Sequence, residues 1–216
     1  MTDHLPAAAA SSAVAVRREL LSLSGSALLN RILEDDRPAA LIRSLPGEDF
    51  FWIVKRIGEE ESAAVLDLAG EEQWEYLLDL EVWDRDRIDA DKVLTWLKRL
   101  HEADPERLSA WLLAREHTLV SLLLLRTAEV VIKEGDEEAN LPEGYFTLEG
   151  RFYIRALKTD HRETLEALLR ILARRDHLTY QSLLYKLAAI LPAEAEEELY
   201  RLRSGRIAEH GFVPYQ

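Results

Sequence analysis

Between Leu33 and Leu80 the hydrophobic and polar positions repeat every 12 residues. In each block the fourth residue is acidic and the ninth and tenth residues are aliphatic. Apolar or bulky residues at positions 6, 9 and 10, and at position 1 of the next block, have the i, i+3, i+4, i+7 spacing of one helical face. Each block therefore predicts about four residues of turn and about eight residues of helix. The four blocks, which align without gaps, are LEDDRPAALIRS, LPGEDFFWIVKR, IGEEESAAVLDL and AGEEQWEYLLDL.

Such short helices must stack on one another. A helix of about two turns is unstable alone, because nucleation costs more free energy than so few hydrogen bonds return. Stacked like units bury a continuous core and leave an extended outer face, which is the organisation of a superhelical scaffold. The sequence therefore predicts a superhelix of short tandem helical repeats whose outer face binds another protein.

The tryptophans at positions 52, 74, 83, 96 and 111 have two possible roles. Most are expected to fill the core between stacked helices, since large aromatic side chains dominate core packing. One or two could instead anchor a partner, because tryptophan is enriched at the centres of interfaces. The candidate partner-binding residues combine repeat acids with tryptophans: Glu48, Glu60, Glu72, Trp74 and Trp83.

Longer helices follow the repeat. Asp89 is predicted to cap a helix whose apolar face includes Val93, Leu94, Trp96, Leu97 and Leu100. Asp104, Pro105 and Glu106 supply a cap, a first-position proline and a first-turn acid for the next helix. The apolar run from about Thr118 to Ile132 predicts a further, buried helix.

The last third of the chain combines a hairpin with helices. Residues on either side of Glu149 and Gly150 alternate in polarity, which predicts a β-hairpin with a two-residue turn. Its apolar face would contain Phe146, Leu148, Phe152 and Ile154. Helices are predicted at 161–174, 180–190 and 194–203.

These elements predict an all-α fold with one small β-hairpin near 145–154. The chain length of 216 residues suits one domain or two small ones. We expect four segments: a disordered lead-in at 1–12, a helical-repeat domain at 13–133, an acidic loop at 134–144, and a hairpin with C-terminal helices at 145–216 that packs on the first part.

Composition narrows the possible chemistry. The chain has no cysteine, which excludes disulfides, thiolate nucleophiles and cysteine-ligated zinc, and it fits a reducing, cytoplasmic setting. The net charge is −13, and residues 33–89 alone carry 17 acids against 6 bases. Such an acidic segment repels phosphates, so no nucleic-acid partner is expected. Arg126 and Glu129 interrupt the most apolar run, so no membrane partner is expected either.

Four carboxylates near the end of the repeat form the candidate metal site. Asp84, Asp86, Asp89 and Asp91 lie within eight residues and could gather Mg²⁺ or Ca²⁺ through oxygen ligands. The spacing departs from a calcium loop, which has a glycine at its sixth position and a bidentate acid at its twelfth. The alternative is an exposed turn in which Asp89 caps the following helix.

The sequence contains no readable catalytic centre. None of the six histidines has a second histidine or a suitable acid at metal-ligand spacing on a helical face. Glycine-rich phosphate loops and the G-x-S-x-G nucleophile turn are also missing from the sequence. We therefore expect a protein without a cofactor and without enzymatic activity.

Two resemblances to known families follow from these motifs. Residues 33–80, with L-P-x-E-D followed by paired aliphatics, resemble the superhelical cytoplasmic amino-terminal domain of bacterial magnesium transporters. That resemblance implies an acidic domain that takes part in magnesium sensing, and it does not extend to the transporters' membrane part.

A second resemblance spans nearly the full length. RILEDDRPAALIRSLPGEDFFWIVKRIG, LPEGYFTLEGRFYIR and RSGRIAEHGFVPY resemble an uncharacterised bacterial family known as a domain of unknown function. This resemblance implies no activity. Members of that family continue past the GFVPY motif, so an amino-terminal fragment of a longer protein is expected.

Three functions remain open on the sequence alone. The leading hypothesis is a helical-repeat scaffold that binds another protein, or the remainder of its own full-length chain, through an acidic surface with tryptophan. The second is a regulatory domain that responds to a divalent cation, a hypothesis that rests on the Asp84–Asp91 cluster and on the resemblance to the magnesium-transporter domain. The third is an enzyme whose carboxylates are brought together only by folding.

Overall fold

The computed structural model describes residues 15–114, 124, 127–133, 143–189 and 192–209. The predicted lead-in at 1–12 and most of the predicted acidic loop lie outside these residues. Contacts between Cα atoms divide the chain into two compact units, Met1–Leu77 and Leu78–Gln216. The division falls inside one helix, which begins in the first unit and ends in the second.

The first unit consists of short helices separated by turns. Glycine or proline marks several of the breaks, and Gly58 adopts φ +105°, a conformation that favours glycine. Helix α2 packs against α4, and α3 packs against α5. The helices are α1 at 15–22, α2 at Gly25–Leu33, α3 at Pro38–Arg43, α4 at Gly47–Ile57, α5 at Ala63–Leu68 and α6 at Glu71–Glu81.

Helices α3 to α6 correspond to the four blocks of the repeat, one helix to each block. Their lengths differ from the prediction, because they alternate between 6 and 11 residues. In the longer helices the first helical residue directly follows Pro46 or Gly70, whereas the shorter ones are preceded by a turn of several polar residues. The predicted uniform helices of about eight residues are therefore wrong, and the superhelical arrangement stays a prediction.

The apolar face of the repeat forms the core of the first unit. Seven of the eight aliphatic residues at positions 9 and 10 are buried, and Leu41 is partly exposed. The predicted apolar face is therefore confirmed. Gln73 ties two helices together inside this core. Its Nε2 donates to the carbonyls of Ile42 and Leu45, both at 2.8 Å, and its Oε1 accepts from the Gly70 N–H at 2.9 Å. The buried Gln73 amide therefore adds hydrogen bonds to main-chain carbonyls at the carboxyl end of α3.

The second unit combines longer helices with two small sheets. Helix α9 packs against α7, α8 and α10, and α10 also packs on strand β3. The elements after α6 are β1 at Trp83–Asp84, β2 at Arg87–Ile88, α7 at Ala90–Ala103, α8 at Pro105–Ala114, β3 at Ala128–Ile132, β4 at Tyr145–Phe146, β5 at Phe152–Ala156, a 3₁₀ turn at Thr159–His161, α9 at Arg162–Arg175, α10 at His177–Ala189 and α11 at Pro192–Glu209.

The caps of α7 and α8 and the buried face of α7 confirm the predictions. The Asp89 carboxylate accepts from the N–H groups of Asp91 and Lys92, and Asp104 accepts from the Arg107 N–H at 2.9 Å. The buried residues of α7 are the five predicted: Val93, Leu94, Trp96, Leu97 and Leu100. An N-cap of this kind stabilises a helix by about 1 kcal/mol.

The larger sheet has three antiparallel strands in the order β3-β5-β4. The predicted hairpin is present, with Phe146 opposite Ile154 and both side chains buried with Phe152. The predicted two-residue turn is wrong, since the five residues 147–151 join the two strands. Gly150 lies in this connection with φ +76°, a conformation that favours glycine. Leu148 lies in this connection and is only half-buried.

Strand β3 corrects the predicted helix at 118–132. Residues 124 and 127 are helical, but 128–132 pair with β5, from Ala128 opposite Ala156 to Ile132 opposite Phe152. Val130, Val131 and Ile132 are β-branched, and such side chains suit a strand better than a helix. The short β1–β2 hairpin was also not predicted. Among the described residues, no helix has the length and apolar character needed to cross a membrane.

Candidate functional site

The outward face of helix α4 carries an aromatic pair, of which Trp52 is exposed and Phe51 is partly buried. The helix buries Phe50, Ile53, Val54 and Ile57 on its inner side, so the side chains between them point outward. On the outer side Trp52 is 51% exposed. We call the outer residues Glu48, Phe51, Trp52 and Lys55 the α4 aromatic face.

The two rings of the α4 aromatic face are in contact. Phe51 and Trp52 lie edge to face, with centroids 5.3 Å apart and planes at 75°. The Lys55 ammonium lies 5.6 Å from the Phe51 centroid and 2.5 Å from a Glu59 carboxylate oxygen. These contacts hold the aromatic pair in place beside charged groups, while much of the Trp52 indole stays exposed to water.

The predicted partner-binding residues fall into two groups. Glu48, Glu60 and Glu72 are exposed, as a surface for a partner requires. Trp74 is 0% exposed and Trp83 is 6% exposed, so both side chains lie in the interior and neither is accessible. The Trp74 indole N–H donates to the Leu66 carbonyl at 2.9 Å, which is a core role.

Trp52 was not selected as a partner-binding candidate from the sequence, although a signal was present. It occupies position 8 of its block, outside the face formed by positions 6, 9 and 10. Trp74 occupies position 6, on that face. The helical period alone therefore separates the outward Trp52 from the inward Trp74.

The four carboxylates of the candidate metal site are not brought together. Asp84 and Asp86 are exposed on the β1–β2 hairpin, while Asp89 caps α7. Within the described residues, no three His, Asp or Glu side chains are placed to hold a metal ion. The predicted gathering of the four acids around Mg²⁺ or Ca²⁺ is therefore not found among the described residues.

Asp91 instead joins α7 to the segment that precedes α9. Lys158 donates to both carboxylate oxygens of Asp91, at 2.5 Å to Oδ1. The Nε2 atom of His161 lies 3.0 Å from the same oxygen, and it must carry the proton because an ionised carboxylate only accepts. The Lys158 hydrogen bond, with smaller contributions from its charge and from His161, holds the pKa of Asp91 below its ordinary value.

This arrangement predicts a pH-dependent effect of Asp91→Asn. Because the folded protein holds the pKa of Asp91 below the ordinary value of 3.8, the stabilising contribution is complete above that value and is lost as the pH falls through the lowered one. The substitution is expected to lower the melting temperature at neutral pH and to have progressively less effect below about pH 4. Melting curves followed by circular dichroism from about pH 7 to about pH 3 measure this.

Asp84→Asn provides the matched control, since Asp84 is an exposed acid in the neighbouring hairpin. It is expected to leave the melting temperature nearly unchanged at every pH. An Asp91→Asn deficit of the same size at pH 7 and at pH 3 would contradict the assigned role of the Lys158 contact.

A second group of polar side chains lies between the 147–151 connection and α10. The Oε2 atom of Glu149 accepts from Gln181 Nε2 at 3.2 Å and lies 3.0 Å from His177 Nε2. Burial, with a contribution from the Glu149 charge, raises the pKa of Tyr180 far above its ordinary value. Because Tyr180 is 0% exposed, a substrate cannot reach its hydroxyl, and the group serves to hold the connection on the helix.

Comparison with known families places the chain. A family model described as "Family of unknown function (DUF6178)" matches residues 6–216, nearly the full length. The chain belongs to the DUF6178 family. This confirms the near-full-length resemblance to a domain of unknown function. No curated protein and no solved structure matches this DUF6178 chain. The resemblance of residues 33–80 to the magnesium-transporter domain therefore stays a prediction.

Proposed function

We propose that this DUF6178 chain is a non-enzymatic helical scaffold that binds another protein through the α4 aromatic face. The observation that supports the proposal is Trp52, a large apolar side chain that is 51% exposed in contact with Phe51. Tryptophan is among the residues most enriched at energetically dominant interface positions. The exposed Glu48 on the same helix favours the same role, since charge on the rim of an interface selects partners.

The free energy available from Trp52 is large enough to matter. Its exposed half amounts to about 100 Å² of mostly apolar surface, and burying it contributes about 2.5 kcal/mol at about 25 cal/mol per Å². The edge-to-face contact with Phe51 limits the freedom that the indole loses on binding. A partner that covers this face therefore gains affinity without reorganising the helix.

Trp52→Ala is expected to reduce capture of a partner by about tenfold or more, because removing a central aromatic anchor costs at least about 1.4 kcal/mol of binding free energy. The measurement is a pull-down with the immobilised full chain at moderate salt, in which retained proteins are quantified for the wild type and the variant. The variant should fold normally, since the side chain it removes is half exposed.

Leu178→Ala is the matched control, because Leu178 is a 77% exposed apolar residue on α10 in the other unit. Its capture profile is expected to equal that of the wild type. Protein capture that is unchanged by Trp52→Ala, with both variants melting as the wild type does, would rule out the α4 aromatic face as the binding site.

A further inference from the structure

Resting on the proposed function, we propose that the segment bound by the α4 aromatic face is a basic amphipathic helix, in which a large apolar side chain lies one turn from a lysine or arginine. The carboxylate of Glu48 and the indole of Trp52 set this requirement. Their positions are four residues apart on one face of the helix, which is about 6 Å along its axis.

The charges of the face are unequally available to a partner. Lys55 is already paired with Glu59 at 2.5 Å, so its charge is largely neutralised within the chain. The guanidinium of Arg56 donates to the carbonyls of Leu21 and Leu23 and is thereby held toward α1. Glu48 is exposed and lies in the first turn of α4. The Arg17 guanidinium lies close enough to interact with the Glu48 charge, but it is already bound to the Asp49 carboxylate. An incoming cation therefore meets a carboxylate, whereas an incoming anion meets no unengaged cation on this face.

The exposed charges of the first unit are mainly acidic. Among its described residues, 15–77, nine exposed acids stand against five exposed arginines. Opposite charge on the approaching segment accelerates its encounter and disfavours acidic competitors. The exposed acids are Glu19, Glu34, Asp36, Glu48, Glu60, Glu61, Asp67, Glu71 and Glu72.

An α-helix in the partner matches the four-residue spacing between Glu48 and Trp52. Two helices that pack side by side present residues to each other at intervals of three and four. An apolar residue opposite Trp52 then brings a cation three or four positions away opposite Glu48. The recognition mode is that of an amphipathic helix laid along a helical face, with one aromatic anchor and one charge that sets the orientation.

Two synthetic peptides test this inference on the full chain. One is an amphipathic helix with leucines on one face and lysines on the other, and the second has glutamate at every lysine position. Each carries a fluorescent label, and binding is followed by anisotropy at moderate salt. The lysine peptide is expected to bind at least about tenfold more tightly than the glutamate peptide.

Variants then locate the binding site. Glu48→Lys is expected to weaken the lysine peptide about fivefold and Trp52→Ala about tenfold. Asp86→Lys, the same charge change at an exposed position of the second unit, is expected to have little effect. Acrylamide quenching gives a second readout, because the lysine peptide should shield the exposed indole of Trp52 in the wild type.

The outcomes separate the two proposals. Equal affinity for both peptides, or equal weakening by Glu48→Lys and Asp86→Lys, would overturn the basic-helix partner. If the peptide result fails in this way but Trp52→Ala reduces protein capture in the pull-down, the scaffold function stands and only the proposed chemistry of the partner is wrong. If Trp52→Ala changes neither measurement, both fall.

Discussion

Trp74→Ala is expected to lower the free energy of unfolding of the first unit by about 4–6 kcal/mol. The side chain is 0% exposed, and removing a buried tryptophan creates a cavity that costs about 3–5 kcal/mol. The substitution also removes the hydrogen bond that the indole N–H donates to the Leu66 carbonyl at 2.9 Å, at a further cost of about 1 kcal/mol. These costs exceed those of most single substitutions.

Urea denaturation followed by far-ultraviolet circular dichroism measures this loss. Trp74→Phe separates its two parts, because phenylalanine retains much of the apolar contact and lacks the indole N–H. Trp52→Ala is the comparison at an exposed site and is expected to cost less than about 1 kcal/mol. Similar losses for Trp74→Ala and Trp52→Ala would contradict the assignment of one tryptophan to the core and the other to the surface.

Arg206→Ala is expected to destabilise the second unit by about 2–4 kcal/mol. Asp79 is 4% exposed, and its two carboxylate oxygens accept from Arg206 Nε at 2.6 Å and Nη2 at 2.7 Å. Removing the arginine leaves a buried carboxylate without its bidentate partner, which is the costly way to break an ion pair. Because 30% of the arginine side chain is exposed, the loss falls below that of a fully buried pair.

The double substitution Asp79→Leu with Arg206→Met tests the mechanism. It removes both charges together and is expected to recover a large part of the stability lost in Arg206→Ala. The double-mutant cycle compares the free energies of unfolding of the wild type, Asp79→Leu, Arg206→Met and the double variant, each measured by chemical denaturation. A double variant as unstable as the sum of its single variants would contradict a direct coupling between the two side chains.

Local signals were sufficient to predict much of the helical structure. Asp89 and Asp104 each precede a helical apolar pattern, and a carboxylate in that position satisfies N–H groups of its own first turn. These interactions involve residues two or three positions apart, so the sequence contains both members of each one. For the same reason the predicted apolar face of α7 matches its buried residues.

Strand β3 shows where local reasoning failed. The run that ends in Glu129–Ile132 is apolar enough for a buried helix, and its neighbours in sequence do not exclude one. Its partner strand lies more than 20 residues later, and the pairing of Ala128 with Ala156 satisfies main-chain groups that a helix would satisfy internally. A short apolar run does not distinguish these outcomes by periodicity.

The sequence by itself determined the membership of DUF6178, the helical character, the caps and the inward face of the repeat. Tertiary structure alone decided which polar residues lie inside. Asp67 and Asp79 occupy the same position of adjacent blocks, yet Asp67 is exposed and Asp79 is buried against Arg206, 127 residues later. Periodicity records which side of a helix a residue occupies, but burial of a charge requires a partner, and that partner comes from a distant part of the chain.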